Sequence, residues 1–468
     1  MDSPASFLAC FDENNLLVGN QGAGNTLKEL AAQIAASPEE RITLALKPSV
    51  WVFLYNIMRN VIQMLDNDAA VGLASSILRS ARTLLAAGIT AQALASQVEF
   101  DILLESNVLL IKPHEKLLCL MFQFLSNSIT SNIEMTEKLL HRWTLPETDI
   151  LTVLAGRENH TELGEAMAIL TLNMISQSKS ICIEFTESST GPKLLQYLLS
   201  FDTNVTENRV LADVMANIVI RLIECRVLLA IFQKFSRVDG ICIEQDNIIY
   251  IIDTAFTEDV ISVYSTCGAI IAKDILDIAR IIFKQTECYM QQAAEILPDS
   301  CLFPSALSLL DLLFRLSVEE SVRIIMPSEE ILEIVISMLK NADQIDAVQE
   351  PRRRSAGKPN SRSAFIKRDC LRLVASLSFE SRTIQDRVFN MGVLPLILSQ
   401  CHIDDNNPYL REYAIFCIRN LLKNNTTNQA AVESLEALRT VPSVTLERAG
   451  FEAFIDVDSK VKLRQKVL

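Results

Sequence analysis

Apolar residues recur every third or fourth position along most of this chain, and short polar clusters interrupt them. That rhythm predicts helices joined by brief connections. The segment 408–422 shows it locally. Leu410, Tyr413, Ala414, Cys417 and Leu421 form one stripe at helical spacing. Asn407 suits an N-cap, Pro408 suits the first helical position and Glu412 sits near the positive end of the dipole. Ile415, Phe416, Ile418 and Leu422 extend the apolar surface nearly all round, which predicts a helix inside a stack. Lys423 and the Asn424–Asn425 pair mark its end. Strict alternation appears in the tail, in FEAFID and KVKLR, and predicts a small hairpin there.

The helical pattern repeats. SLSFESRTIQDRV (376–388) aligns with NLLKNNTTNQAAV (420–432): Leu377 falls on Leu421, Thr383 on Thr427, Gln385 on Gln429 and Val388 on Val432. The period of about 44 residues suits helical arrays of the armadillo or HEAT kind. Late in similar helical patterns stand Asn127, Asn173, Asn217, Ser376 and Asn420. Six residues before these anchors lie Met121, Met167, Leu211, Cys370 and Ala414; three before lie Phe124, Leu170, Val214, Leu373 and Cys417. Twelve after lie Leu139, Phe185, Leu229, Val388 and Val432. One such unit cannot bury its own apolar face, whereas stacked neighbours can. The expected fold is an all-α, right-handed α-solenoid of armadillo/HEAT-like repeats with a C-terminal β-hairpin. The expected divisions are repeats over 1–345, a flexible basic insertion over 346–364 (Pro351, Arg352–Arg354, Lys358, Pro359), further repeats over 365–440 and a tail over 441–468.

Composition narrows the function classes. Gly (13) and Pro (14) are too scarce in 468 residues for a turn-rich barrel or sandwich, and 49% hydrophobic residues supply a large core. The net charge of −14 disfavours general nucleic-acid or anionic-membrane binding. Eleven cysteines without a C-x-x-C pair are not a disulfide framework and suit a reducing compartment, which predicts a cytoplasmic protein. MDSPASFLACFDENN lacks the basic start of a signal peptide. NIVIRLIECRVLLAIF (217–232) is broken by Arg221, Glu224 and Arg226, so no membrane span is expected.

Candidate chemistry is thin. Cys401, His402, Asp404 and Asp405 are metal-ligand types, yet no second pair completes a zinc site and the EF-hand spacing is absent. They read as the turn between two helices, with Cys401 and His402 ending GVLPLILSQC and the carboxylates favoured by the next helix dipole. GNQGAGNT (19–26) gives Gly19, Gly24 and Thr26 P-loop spacing, but Asn25 replaces the phosphate-binding Lys. His114, His141, His160 and His402 show no ligand spacing, and no G-x-S-x-G elbow occurs. No catalytic residue, metal or cofactor is expected. RRRS (352–355) makes Ser355 a candidate phosphorylation site whose phosphate could fold back on the arginines; a solvated loop is the simpler reading.

The run 369–429, with QDRV, GVLPLIL, CHIDDNNPYLREYAI and IRNL followed by NQ, resembles the C-terminal domain of the ataxin-10 family, as does the closing LERAGFEAFIDVDSKVKLR. The resemblance implies a cytoplasmic armadillo-repeat protein without catalytic activity, linked to cytokinesis and cell growth through protein contacts. In related armadillo proteins the late-helix Asn lines a groove and bonds an extended peptide. Here that role would fall on Asn420, then Asn127, Asn173 and Asn217, with Ser376 interrupting the ladder. The expected function is therefore a scaffold for protein partners, basic extended peptides or a second copy of the chain among them. A nucleotide-binding enzyme using Gly19–Thr26 is the rival, and single-stranded nucleic acid on 352–368 is a third reading.

Overall fold

The computed structural model describes residues 34, 38–62, 65, 68–99, 115–143, 161–201, 209–236, 241–258, 260–292, 302–318, 320, 323, 328–356, 362–402, 407–434, 444–457 and 461–465. Among them the chain is helical apart from one antiparallel two-stranded hairpin. It divides into two compact units, residues 1–278 with 300–305 and residues 279–299 with 306–468.

In the first unit the elements are α1 (Pro38–Ala45), α2 (Pro48–Ile62), α3 (Asp68–Leu85), α4 (Ile89–Gln97), α5 (Glu115–Ile129) and α6 (Ile133–Trp143). Then follow α7 (Thr161–Ser176), α8 (Lys179–Glu187), α9 (Gly191–Leu199), α10 (Arg209–Cys225), α11 (Leu228–Lys234) and α12 (Ile243–Glu258). The long helices α3, α5, α7, α10 and α12 pack each on the next, in chain order. Short helices such as α4, α6 and α8 follow them and close each layer. Trp51, Phe122, Phe124, Phe185 and Phe232 are fully buried between layers. Gly191 is required at the start of α9, because a Cβ there would lie 1.9 Å from the Phe185 carbonyl oxygen.

Helices α13 (Val260–Gln292) and α14 (Leu302–Val318) follow. The second unit continues with α15 (Ser328–Ala356), α16 (Arg362–Leu377), α17 (Arg382–Asn390), α18 (Leu394–Ser399), α19 (Leu410–Leu422), α20 (Thr426–Glu433) and α21 (Val444–Arg448). Here α16 packs between α15 and α19. Strands β1 (Phe451–Ile455) and β2 (Val461–Gln465) pair in register Phe451↔Gln465 to Ile455↔Val461, where alternation in the sequence places them. The five residues six before the anchors are all buried, as are Phe124, Leu170, Leu373 and Cys417 three before. Val214, Leu229 and Val432 are half-buried.

Three expectations need correction. Residues 346–356 are not loop but the last turns of α15, because Gln349, Glu350 and Ala356 are good helix formers and Pro351 costs only local backbone bonding. Asn407 does not cap α19: the helix starts at Leu410, preceded by Tyr409 in the left-handed region (φ 68°) with no side-chain cap. Finally, α19 is not enclosed all round, since Ile415 and Phe416 are exposed.

Candidate protein-interaction surface

A helix leaves its last four carbonyls without intrahelical partners. In this chain the next repeat supplies many of those partners. Asn127 Nδ2 on α5 donates to Arg82 O at the end of α3 (3.1 Å), and Gln177 Nε2 donates to Ile129 O at the end of α5 (3.1 Å). Arg221 Nε on α10 donates to Ile175 O at the end of α7 (3.0 Å), and Asn247 Nδ2 on α12 donates to Leu199 O at the end of α9 (2.7 Å). In the second unit Asn420 Nδ2 on α19 donates to Ala375 O at the end of α16 (2.8 Å). Each donor follows its acceptor by 45 to 48 residues, so the repeat period brings a polar side chain to the orphan carbonyl one layer back.

The asparagines expected along a groove have these surroundings. Asn420 is only 3% exposed, and its amide hydrogen bonds the preceding helix end. Asn127 does the same, and Asn173 Nδ2 donates to Ser126 Oγ (2.7 Å). Asn217 alone of the four is exposed, with Nδ2 on its own Asp213 carbonyl (2.8 Å). Ser376 accepts from Ser317 Oγ at 2.7 Å. The physical reason is the cost of an unpaired buried carbonyl, which these side chains relieve.

Two of the junctions share one clamp. Gln92 Nε2 on α4 donates to Asn127 O, and Asn132 Nδ2 donates back to Gln92 Oε1, at spacings of 35 and 40 residues. Gln385 Nε2 on α17 donates to Asn420 O, and Asn425 Nδ2 to Gln385 Oε1, at the same 35 and 40. Asn132 and Asn425 also accept from Met135 N and Asn428 N, capping α6 and α20.

What the second unit displays differs from what holds it. Along α14, α16 and α19 a row of aromatic rings carries cations. The Arg372 guanidinium lies 3.7 Å from the Phe314 centroid and 5.8 Å from that of Tyr413, and Asp311 accepts from it. Arg368 stacks over Phe365 at 5.0 Å, with Nε and Nη2 on Asp369 at 2.7 and 2.8 Å. Hydrogen bonding to Asp369 raises the Arg368 pKa, partly offset by burial, so the cation is firmly held. Arg323 and Lys423 both lie over Phe379, at 5.6 and 4.8 Å, and Lys423 pairs with Glu380 at 2.8 Å. Tyr409 (67%), just before α19, and Phe416 (39%) on it are exposed apolar surface. In the first unit side-chain amides make such contacts, Gln123 accepting from Arg82, Asn173 donating to Ser126 and Gln177 to Asn173 O.

Among the described residues no group of three or more His, Cys, Asp or Glu is placed to hold a metal. His402 Nδ1 lies 2.6 Å from Ser399 O and Cys401 Sγ 3.7 Å from Ile397 O, so both turn back onto α18. Asp404, Asp405, His114, His160 and Gly19–Thr26 lie outside the described residues, as does the side chain of Ser355. Burial pushes the Cys119 and Cys242 thiols up to about 11 and raises Cys370, which keeps them protonated and poor nucleophiles. No helix among the described residues is long and apolar enough to cross a membrane.

Residues 366–464 match the family model described as the spinocerebellar ataxia type 10 protein domain. That segment is thus similar to the ataxin-10 domain. An ataxin-10 homolog of Kluyveromyces lactis is 43% identical over 98 residues, 21% of this chain and 18% of its own length. One of Saccharomyces cerevisiae is 31% identical over 196 residues, 35% of each chain, and ataxin-10 of Xenopus tropicalis is 38% identical over 88 residues, 19% and 18%. The chain thus spans about a fifth to a third of the length of these relatives. A solved structure from work on a phosphorylation switch in the cadherin and β-catenin interaction superposes with TM-score 0.41 at 12% identity, covering 86% of this chain and 75% of that one.

The ataxin-10 domain holds the Gln385–Asn420–Asn425 clamp, Arg368, Arg372, Tyr409, Tyr413 and the hairpin. Sequence reasoning picked Asn420 out of it but missed Gln385, Arg368 and Arg372. The available signal was Phe365, Arg368 and Arg372 at three- and four-residue steps on one helix face.

Proposed function

We propose that the chain is a non-catalytic scaffold that binds other proteins, acting in the cytoplasm in the regulation of cytokinesis and cell growth, as its ataxin-10 domain suggests. The observation that carries the binding role is the exposed aromatic–cation row along α16 and α19. Aromatic and arginine side chains are the types that dominate protein interfaces. A second copy of the chain belongs among the partners. The hairpin turns Phe451, Val461 and Leu463 outward on one face, and an isolated two-stranded hairpin is marginally stable without cover.

Affinity capture from cell extract, with bound proteins identified by mass spectrometry, tests the reading. Tyr409→Ala with Phe416→Ala is expected to lose a defined set of partners while circular dichroism stays that of the parent. Unchanged capture would count against this surface. Equilibrium dialysis with labelled ATP and GTP addresses the rival: micromolar binding abolished by Gly24→Val would make the chain a nucleotide-binding protein instead.

A further inference from the structure

We infer that the row on α14, α16 and α19 takes an extended acidic peptide, its carboxylates facing Arg368 and Arg372 and its apolar side chains lying on Tyr409 and Phe416. The inference rests on the scaffold reading and names the chemistry of the partner.

Three observations carry it. First, charge here runs opposite to the whole. The chain carries −14, yet the contacts along this row name five cations (Arg315, Arg323, Arg368, Arg372, Lys423) against three carboxylates (Asp311, Asp369, Glu380). An excess of positive charge on an acidic body attracts an anionic segment to this place and repels it elsewhere.

Second, the guanidinium groups are already held. A flexible arginine loses rotamer freedom when it binds, and stacking on a ring removes much of that cost beforehand. Arg372 lies on Phe314 and Arg368 on Phe365. Each guanidinium has five N–H donors. Asp369 takes Nε and Nη2 of Arg368, and Asp311 takes Nη1 of Arg372, so donors remain on both. Both side chains keep partial exposure, 28% and 22%.

Third, exposed apolar groups on and just before α19 flank the ring that Arg372 approaches. Tyr413 and Phe416 stand three residues apart on α19, Tyr409 immediately precedes that helix, and the Tyr413 ring lies 5.8 Å from the Arg372 guanidinium. A peptide alternating acidic and apolar side chains would meet cation and ring in turn. A basic peptide would meet the excess cations.

The test is fluorescence anisotropy on the intact chain. The probe is a fluorescein-labelled peptide of about twelve residues repeating Glu-Leu-Glu-Pro, whose prolines keep it extended. Its Lys-Leu-Lys-Pro counterpart and a single-stranded oligonucleotide of equal charge are the controls. Saturable binding of the acidic peptide is expected, weakened at least tenfold by Arg368→Gln with Arg372→Gln and weakened again by raising salt. Lys423→Ala, at an exposed position outside the arginine–carboxylate pairs, should weaken it severalfold and guards against a fold defect in the double variant. Equal binding of the lysine peptide or of the oligonucleotide, or no response to the three substitutions, overturns the inference. Should the acidic peptide fail while partner capture still depends on Tyr409 and Phe416, the acidic partner falls and the scaffold reading stands. Loss of both would remove the surface altogether.

Discussion

The clamp at Gln92–Asn127–Asn132 and the clamp at Gln385–Asn420–Asn425 have the same donors, acceptors and residue spacings, one in each compact unit. They differ in how polar and how buried they are. In the second unit Asn420 is 3% exposed and Asn425 and Asn428 are fully buried, whereas Asn127 and Asn132 are half-buried. Asn428 stands where the first unit has Met135, and it donates to Gln385 O and Leu421 O. Asp386, where the first unit has Ala93, accepts from Asn425 and Arg382. The shared part answers a need common to every layer, the orphan carbonyls of a helix end. The added polar groups answer a local one: Asn428 Nδ2 serves the Gln385 and Leu421 carbonyls, and a buried amide gains with each partner it finds.

The comparison breaks most visibly at the capping asparagines. Asn425→Ala removes the α20 cap and two further hydrogen bonds, and should destabilise the second unit by about 3 kcal/mol. The matching Asn132→Ala should cost about 1 kcal/mol, because its site keeps access to water. Denaturant unfolding followed by hydrogen exchange of α6 and α20 separates the two effects; equal costs would show that burial does not set them. Next, Asn420→Ala strands the Ala375 carbonyl and should cost about 2 kcal/mol, against about 1 kcal/mol for Asn127→Ala. The readout is exchange at the last turns of α16 and α3.

Acid sharpens the contrast further. Hydrogen bonds from Arg382 and then Asn425 hold the Asp386 pKa below the usual carboxylate range. A lowered folded pKa adds stability that is present above the unfolded value and lost as pH falls through the folded one. Protection of the α20 amides should therefore weaken below the ordinary carboxylate range, and Asp386→Asn should flatten that dependence. Glu134 on α6 is held low by Lys138, so any acid dependence of the α6 amides should be untouched by Asp386→Asn. The smallest expected effect is on display rather than support: Phe416→Ser should change stability by less than about 0.5 kcal/mol.

Much of the fold was legible beforehand. The stripe through Ala414, Cys417 and Leu421 named the buried face of α19, and alternation named both strands of the hairpin. Asn127 and Asn420 were singled out by their place late in a helix, and they do hold equivalent positions. Their hydrogen-bond partners were not legible, because periodicity reports which way a side chain points and not which atom awaits it. The excess of apolar residues on α19 suggested enclosure, yet Ile415 and Phe416 face outward, since a stacked layer covers one side of a helix more fully than the other. The helical end of α15 was hidden by Pro351 and the arginine run, which read as loop signals.

Amphipathic spacing, a period of about 44 residues and a family-bearing C-terminal segment were properties of the sequence alone, because each is a local or repeating pattern that needs no knowledge of neighbours. The tertiary structure decided where the polar ends of those helices finish. Arg372 meets Asp311, 61 residues earlier, and Asn420 meets Ala375, 45 earlier. Such partners are chosen by which helices lie side by side, and only packing brings a carbonyl, a ring and a guanidinium to one place.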